Sequence, residues 1–480
     1  MDFSVIMQGH ERKYHLEHTI KAVFFGAQLF FHDTEKENKI VSKWDGKTAE
    51  TRILLNGREA IGVFSIQEEA YFLCKDSYVI ARSFLNAAQQ FYAPHLPWGL
   101  LTGVRPAKTA ARMLREGLSE KQVGEIFQKE LLVQPEKTEL MLQAAEKELE
   151  IQKQQLSNGC SLYIGIPFCP TRCAYCSFVS KTYTDGKVLS AFLKQLEEEI
   201  AAVGDAIDRN HLVIDSVYFG GGTPTTLDVL QLQKILDALK NRMDLSHVRE
   251  FTVEAGRPDT ITEEKLLLLK KYGVDRISIN PQTLHSETLQ KIGRAHTVEQ
   301  FFDAYALARN IGFHAINTDL IAGLPGETPE IFKTTLEKII KLEPENITVH
   351  TLALKRASRL NQEHANVSGK ESSVSKMLSL TSAMLKETGY EPYYLYRQKN
   401  ILDNLENVGY SKPGYESIYN VYMMEELQTT LAAGGGGITK LVNPDTKKIT
   451  RIPNPKLAEE YLRQKNIILN RKKEIEALER

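Results

Sequence analysis

The sequence predicts an α/β protein: a partial (β/α)6 TIM-like barrel with a small N-terminal α/β domain and a C-terminal α+β extension. Three observations predict it. The chain has 480 residues, more than one compact core usually organises. From Leu162 onward, apolar strand-like runs alternate with helical patterns, as parallel sheets with right-handed crossovers require. There are six such units, short of the eight of a closed barrel.

Taken in order, residues 1–155 form the accessory domain and its helical linker. Its strand-like runs are Ala22–Phe25, Arg52–Leu55 and Tyr78–Ala81. The turn-rich stretch from Pro94 to Pro106 is a connection. Apolar residues at helical spacing follow from Ala107 to about Gln155. Residues 156–390 are the core. Its strand runs are Leu162–Ile166, Ser216–Phe219, Glu250–Glu254, Arg276–Ile279, Ala315–Ile321 and Asn346–Leu352. Helical patterns lie near 188–203, 227–243, 262–272, 298–311, 328–341 and 372–388. Residues 391–480 are less regular, with a glycine run at Gly434–Gly437 and a charged helical tail from Lys456, and read as a covering extension. In such folds ligands gather at the carboxyl ends of the strands.

Apolar residues make up 42% and charged residues 25% of the chain, ordinary for a soluble globular protein. A formal net charge of −1 argues for neither a nucleic-acid surface nor an acidic tail. The apolar stretch Ala22–Phe31 is too short to span a bilayer, and the N-terminus lacks the order of a signal peptide, so the cytoplasm is the expected compartment.

Five cysteines, an odd number in a long chain, argue against a disulfide scaffold. Three of them, Cys169, Cys173 and Cys176, fall within eight residues in a Cys-x3-Cys-x2-Cys loop after the first core strand. Three thiolates from one loop can grip three irons of a cubane and leave the fourth open, as a catalytic centre needs. The alternatives are a zinc site or buried free thiols. Zinc would want a fourth ligand, and no His or further Cys lies within the next thirty residues. Cys74 and Cys160 read as structural, Cys160 because it precedes the strand.

The segment Tyr163-Ile164-Gly165-Ile166-Pro167-Phe168-Cys169, with the loop behind it, resembles the radical S-adenosylmethionine superfamily. It is most similar to the oxygen-independent coproporphyrinogen III oxidase (dehydrogenase) family, in its HemZ-type branch. The likeness covers about residues 160–440 and extends to Trp98–Pro106. Further motifs match in order: Gly220-Gly221-Gly222-Thr223-Pro224-Thr225, Val253-Glu254-Ala255-Gly256, Arg276–Gln282, Gly293-Arg294-Ala295-His296 and Asn317–Gly326.

The resemblance implies a radical-type barrel, a 4Fe-4S cluster on Cys169, Cys173 and Cys176, and S-adenosylmethionine on the open iron. It assigns Tyr163, Gly221 and Glu254 to that first cofactor molecule. A second, adjacent molecule would touch Tyr175, Gly222, Thr223, Gln282, Arg294, Asp319 and Ala353, and Ile438 is a further contact. The implied reaction is oxidative decarboxylation of two coproporphyrinogen III propionates, initiated by a 5′-deoxyadenosyl radical. Lys355, Arg356, Arg397 and Lys399 are the candidate cations for those propionates. An electron donor such as flavodoxin or ferredoxin is the implied partner. No catalytic side chain beyond the cluster and cofactor is assigned.

Two departures matter. Position 165 is Gly where the family commonly has His. Phe178 stands where the well-studied oxidases carry another Cys, a loss shared with a heme-chaperone branch. The chaperone's His-Asn-x-x-Tyr-Trp motif is also missing, the nearest fragment being Tyr419-Asn420-Val421-Tyr422. A heme-binding chaperone and a radical tetrapyrrole methyltransferase or ring-opening enzyme therefore stand as alternatives, with a purely structural cluster protein as a third class.

Overall fold

A computed structural model describes the chain except residues 25, 33–34, 102, 104, 177–180, 183–185, 354–371, 399–400, 444–445, 447 and 476–480, and the side chains of 181–182. It divides into two compact units. One is built mainly on Met1–Glu146 with Leu395–Glu406, the other on Lys147–Leu360, Met377–Tyr394 and Asn407–Arg480.

The first unit opens with β1 (Asp2–Gln8), α1 (Lys13–Val23), β2 (Gln28–Phe30), β3 (Asn38–Trp44), β4 (Thr48–Leu55), β5 (Arg58–Ser65) and α2 (Asp76–Ala88). The strands form one sheet in the order β2-β1-β3-β4-β5. Arg52–Leu55 lies in a strand, as expected. Ala22 and Val23 instead close α1, with Phe24 as its C-cap, and Tyr78–Ala81 falls inside α2. An apolar run of four residues fits a buried helix face as well as a strand. Leu16, Thr19, Ile20 and Val23 of α1 are buried at helical spacing, as are Val79, Ile80, Phe84 and Leu85 of α2. Then come α3 (Pro106–Arg115), α4 (Glu120–Glu130) and α5 (Pro135–Lys153). Trp98, 1% exposed, donates its Nε1–H to Glu406 Oε2 at 2.7 Å, so the connecting segment is fastened to the unit's C-terminal piece.

The second unit begins with β6 (Gly159–Ile166), the two-residue pair β7 (Phe168–Cys169) and β8 (Lys181–Thr182), α6 (Gly186–Arg209), β9 (Val213–Gly221) and α7 (Val229–Arg242). It continues with β10 (Glu250–Glu254), α8 (Glu263–Lys271), β11 (Arg276–Ser278), α9 (Ser286–Lys291), α10 (Val298–Ile311), β12 (Ala315–Ala322), α11 (Pro329–Ile340), β13 (Asn346–Thr351) and α12 (Ser373–Glu387). The six expected core strands are all present and lie side by side in parallel as β6-β9-β10-β11-β12-β13. Their interior is apolar: Leu162, Ile164, Val217, Val253, Ile277 and Leu320 are fully buried. Each such side chain contributes roughly 1.5–3 kcal/mol of gross stabilisation. Two of the core helices start and stop at clear sequence signals. α7 and α10 carry capping boxes at Asp228/Gln231 and Thr297/Gln300, and Gly312 ends α10 in the left-handed conformation.

The remainder is β14 (Glu391–Tyr396), β15 (Asn407–Ser411), α13 (Ile418–Glu425), β16 (Thr429–Gly434), β17 (Ile438–Val442), β18 (Ile449–Pro453), α14 (Ala458–Arg463) and α15 (Lys465–Lys473). It completes the sheet rather than merely covering it. β16 pairs in parallel with β6, adding a strand on the side away from β9, and β15 pairs antiparallel with β13 at the other edge. The fold is thus a partial (β/α)6-type barrel flanked by a C-terminal α+β extension.

Candidate functional site

The parallel register puts the carboxyl ends of β6 and β9–β13 along one edge, and the singled-out motifs collect there. The cysteine loop leaves β6 and is held by backbone bonds: Gly222 N to Ile166 O, Thr223 N to Phe168 O and Ala174 N to Ile292 O, each 2.8 Å. Gly222 has a steric reason to be glycine, since a Cβ there would sit 2.4 Å from the Phe168 carbonyl oxygen. Gly221 takes φ +109°, a region closed to most side chains. The glycines therefore let β9's end approach the cysteine loop itself.

All five cysteines are free thiols. Cys173 is buried, and Cys169 and Cys176 are partly exposed. Cys169 Sγ lies 3.6 Å from Thr223 Oγ1. Cys160 sits at the opposite end of β6, where burial pushes its thiol up to about 12. Among the described residues, no three His, Cys, Asp or Glu side chains converge on a single ion position.

Two polar clusters lie at the strand ends. In the first, Arg294 donates Nη1–H to Tyr175 Oη at 3.0 Å, Nη2–H to Gly256 O at 2.6 Å and to the Asn280 carbonyl, and Nε–H to His296 Nδ1 at 3.4 Å. With four of five donors spent, its guanidinium ties loop to strand ends and keeps at most one N–H for a ligand. Desolvation and the Arg294 charge push the buried His296 imidazole down to about 3, and its Nε2 has no partner among the described residues. Asn280 also donates Nδ2–H to Asp319 Oδ2 at 2.8 Å, and Asn317 holds Oδ1 at 2.8 Å. Asp319 lies within β12 rather than at its end. Gln282 bonds Asp319 O through its backbone N–H at 3.0 Å and stands at φ +67°. Its buried Oε1 has no partner among the described residues, and such strained, unsatisfied groups concentrate at functional sites.

In the second cluster, Tyr218 donates its hydroxyl to Glu254 Oε1 at 2.7 Å. Burial, with Asp319 nearby, raises the Glu254 carboxyl to about 7 despite that hydrogen bond. The ring of Tyr218 stacks on Tyr419 at 4.3 Å and on Tyr163 at 6.3 Å, and burial pushes all three phenols up.

The structure thus brings together Cys169 with Thr223, Tyr175 with Arg294, Gln282 with Asp319, and Tyr163 with Glu254 through Tyr218. Ala353, half-buried, follows β13. Ile438 stands apart: it starts β17, one strand beyond β16, and is 38% exposed. Arg397 does not serve a propionate. Its buried guanidinium is committed to Leu101 O at 2.6 Å, Gly103 O at 3.3 Å and Asn404 O at 3.2 Å within the first unit. Lys355, Arg356, Lys399 and Phe178 lie outside the described residues. Sequence reasoning assigned no role to Tyr218, Arg257, Asn280, His296 and Tyr419, though Asn280, His296 and Tyr419 lie in motifs that were quoted. Tyr218 and Asn280 stand inside or beside the very motifs that were read, and nothing in the sequence marks them as more than strand and turn residues.

Comparison with known proteins places these features. The Radical SAM superfamily model matches residues 163–339. The oxygen-independent coproporphyrinogen-III oxidase-like protein HemZ of Bacillus subtilis is 44% identical over 402 residues, covering 82% of this chain and 79% of that one. The heme chaperone HemW of Lactococcus lactis is 32% identical over 279 residues, covering 58% and 69%. Among solved structures, the Escherichia coli coproporphyrinogen III oxidase HemN, described as a radical SAM enzyme, has the same fold, with TM-score 0.50, 24% identity and 67% and 72% coverage.

Proteins of this superfamily bind a 4Fe-4S cluster and S-adenosylmethionine. The residues present fit both groups. Three free thiols on one short loop supply soft ligands for three irons without meeting at one point. The buried Gln282 Oε1, with no partner among the described residues, and the hydrogen-bonded Glu254 and Asp319 carboxylates are polar groups of the kind an amino acid and a ribose need. The chain belongs to the radical SAM superfamily, among the oxygen-independent coproporphyrinogen-III oxidase-like proteins of the HemZ type.

Proposed function

We propose that this protein is an oxygen-independent coproporphyrinogen dehydrogenase, converting two propionates of coproporphyrinogen III to the vinyl groups of protoporphyrinogen IX. The observation that supports the reading is the loop of three free thiols after β6, with one polar cluster bonded to it through Tyr175 and a second built on Tyr218 and Glu254 at the ends of neighbouring strands. Cys169, Cys173 and Cys176 would hold the cluster. Tyr163, Gly221 and Glu254 would bind the cofactor molecule on it. Tyr175, Gly222, Thr223, Gln282, Arg294, Asp319 and Ala353 would line a second cofactor position, with Ile438 at its margin. When bound, cluster and cofactor supply an electron and a 5′-deoxyadenosyl radical that takes a hydrogen atom. Each propionate would then lose carbon dioxide and pass one electron to a one-electron acceptor outside the chain, leaving the vinyl group, and no side chain is required as a base. Flavodoxin or ferredoxin would supply the reducing electron.

A second reading, a heme chaperone, is favoured by the heme chaperone HemW relative and by Phe178. One experiment separates the two. Anaerobically reconstituted protein is incubated with S-adenosylmethionine, a reductant and coproporphyrinogen III. Protoporphyrinogen IX and carbon dioxide are expected. Cofactor cleavage with unchanged porphyrinogen would point to another radical acceptor. Stoichiometric heme binding without turnover would replace the dehydrogenase with the chaperone.

A further inference from the structure

The cysteine loop has a second contact to the barrel, made by an arginine that has no role assigned above. Arg257 follows β10 by three positions and is 3% exposed. Its Nε–H and Nη2–H reach both oxygens of Asp259 at 2.9 Å each, a fork-on-fork ion pair. Its Nη1 faces the loop, 2.9 Å from Thr171 Oγ1, 3.4 Å from Thr171 O and 3.7 Å from Cys173 Sγ. The arginine's own backbone is fixed as well. Its carbonyl accepts from Thr260 N at 2.9 Å and Thr260 Oγ1 at 2.7 Å, and Thr260 Oγ1 lies 2.6 Å from Thr225 Oγ1 beside the end of β9.

We propose that Arg257 is a positioning residue for the cysteine loop and the N–H donor to Cys173 sulfur, held in that direction by Asp259. This rests on the cluster reading given above. Two physical arguments support it. Burying a guanidinium is costly, and Asp259 compensates the charge while leaving the Nη1 edge free to point at the loop. Hydrogen bonds to cluster sulfurs stabilise the reduced, more negative state and are a main lever on potential. Thr171 and Cys173 belong to the same loop segment, so one rigid group sets both the loop's path and the electronics of one ligand. A purely structural arginine would leave the potential unchanged.

The test compares parent, Arg257→Gln and Arg257→Lys proteins after anaerobic reconstitution. Each is read for iron and sulfide content, thermal midpoint and the EPR-monitored reduction potential without added substrate. The expected result is a cluster midpoint shifted negative in Arg257→Gln, with Arg257→Lys in between. A folded variant that cannot retain its cluster also supports the proposal. If Arg257→Gln does not fold, the milder Arg257→Lys is decisive. Full clusters at the parent potential in the folded variants would overturn it. A parent protein that shows no 4Fe-4S signal would instead remove the cluster reading itself, a failure distinguishable from that of Arg257.

Discussion

Cys173 and Glu254 are the two side chains whose replacement separates cluster from cofactor chemistry. Cys173→Ala should abolish the 4Fe-4S signal and cofactor cleavage, because two thiolates cannot hold three irons. A full cluster in that variant would contradict the ligand assignment. Glu254 gives a pH prediction with a definite sign. Its folded carboxyl is raised from 4.5 to about 7, so the folded state holds the proton more tightly than the unfolded chain. This favours folding below about pH 4.5, and the contribution is lost as pH rises toward 7. In cluster-free protein the loss amounts to up to roughly 3 kcal/mol. Glu254→Gln should flatten that decline in urea titrations at pH 5, 6 and 8; an unchanged pH slope would disprove the burial argument. The cysteines were legible because spacing alone carries their chemistry. Tyr218 was not, because its role depends on β9 and β10 being neighbours, which brings its hydroxyl to Glu254.

At the scale of elements, the glycine run and the C-terminal helices form one assembly. Gly434 of β16 faces Gly165 of β6. At Gly434, φ is +90° and a Cβ would lie 2.2 Å from the Gly165 carbonyl oxygen. Gly434→Ala therefore combines backbone strain with a backbone clash. It should cost about 3 kcal/mol or more, measured as a lower denaturant midpoint with unchanged slope. The same contact explains why position 165 is Gly here. A Cβ there would lie 2.5 Å from the Gly435 carbonyl oxygen. Glu199 of α6 holds this corner, accepting from Gly434 N at 2.8 Å, Asn454 Nδ2 at 2.8 Å and Tyr461 Oη at 2.6 Å. Lys472 of α15, 1% exposed, pairs with it at 3.3 Å. Lys472→Met would leave Glu199 buried without its cation and should destabilise by about 3–5 kcal/mol. A variant as stable as the parent would show that the pair breaks even with an apolar replacement. The tail, read as one charged helix from Lys456, is two shorter helices over Ala458–Arg463 and Lys465–Lys473. That it drives a lysine into the barrel was not readable, since a lysine in a charged helix is ordinarily solvated.

For the whole molecule, the cysteines of the loop lie in one unit and Trp98 in the other. Trp98→Phe removes the donor to Glu406, a loss of about 1.5–3 kcal/mol for a bond to a charged acceptor. The expected outcome is a lower thermal midpoint with iron and sulfide content intact; loss of the cluster would show that the first unit supports the site. Sequence by itself determined the six-strand core, its alternation with helices and the cysteine loop. Each of these is local: a periodicity or a spacing repeats within a few residues of itself. It misjudged the described part of Ala22–Phe25, which closes α1, and Tyr78–Ala81, where four apolar residues carry no period long enough to tell helix from strand. Only the tertiary structure decided that β16 would extend the sheet beside β6, that Arg294 would divide its donors between Tyr175, His296 and two backbone carbonyls while Arg397 bonds backbone carbonyls, and that Arg257 would reach a cysteine sulfur. Those outcomes depend on which strand ends become neighbours, and hydrogen bonds between segments 80 to 300 residues apart leave no mark on either segment alone.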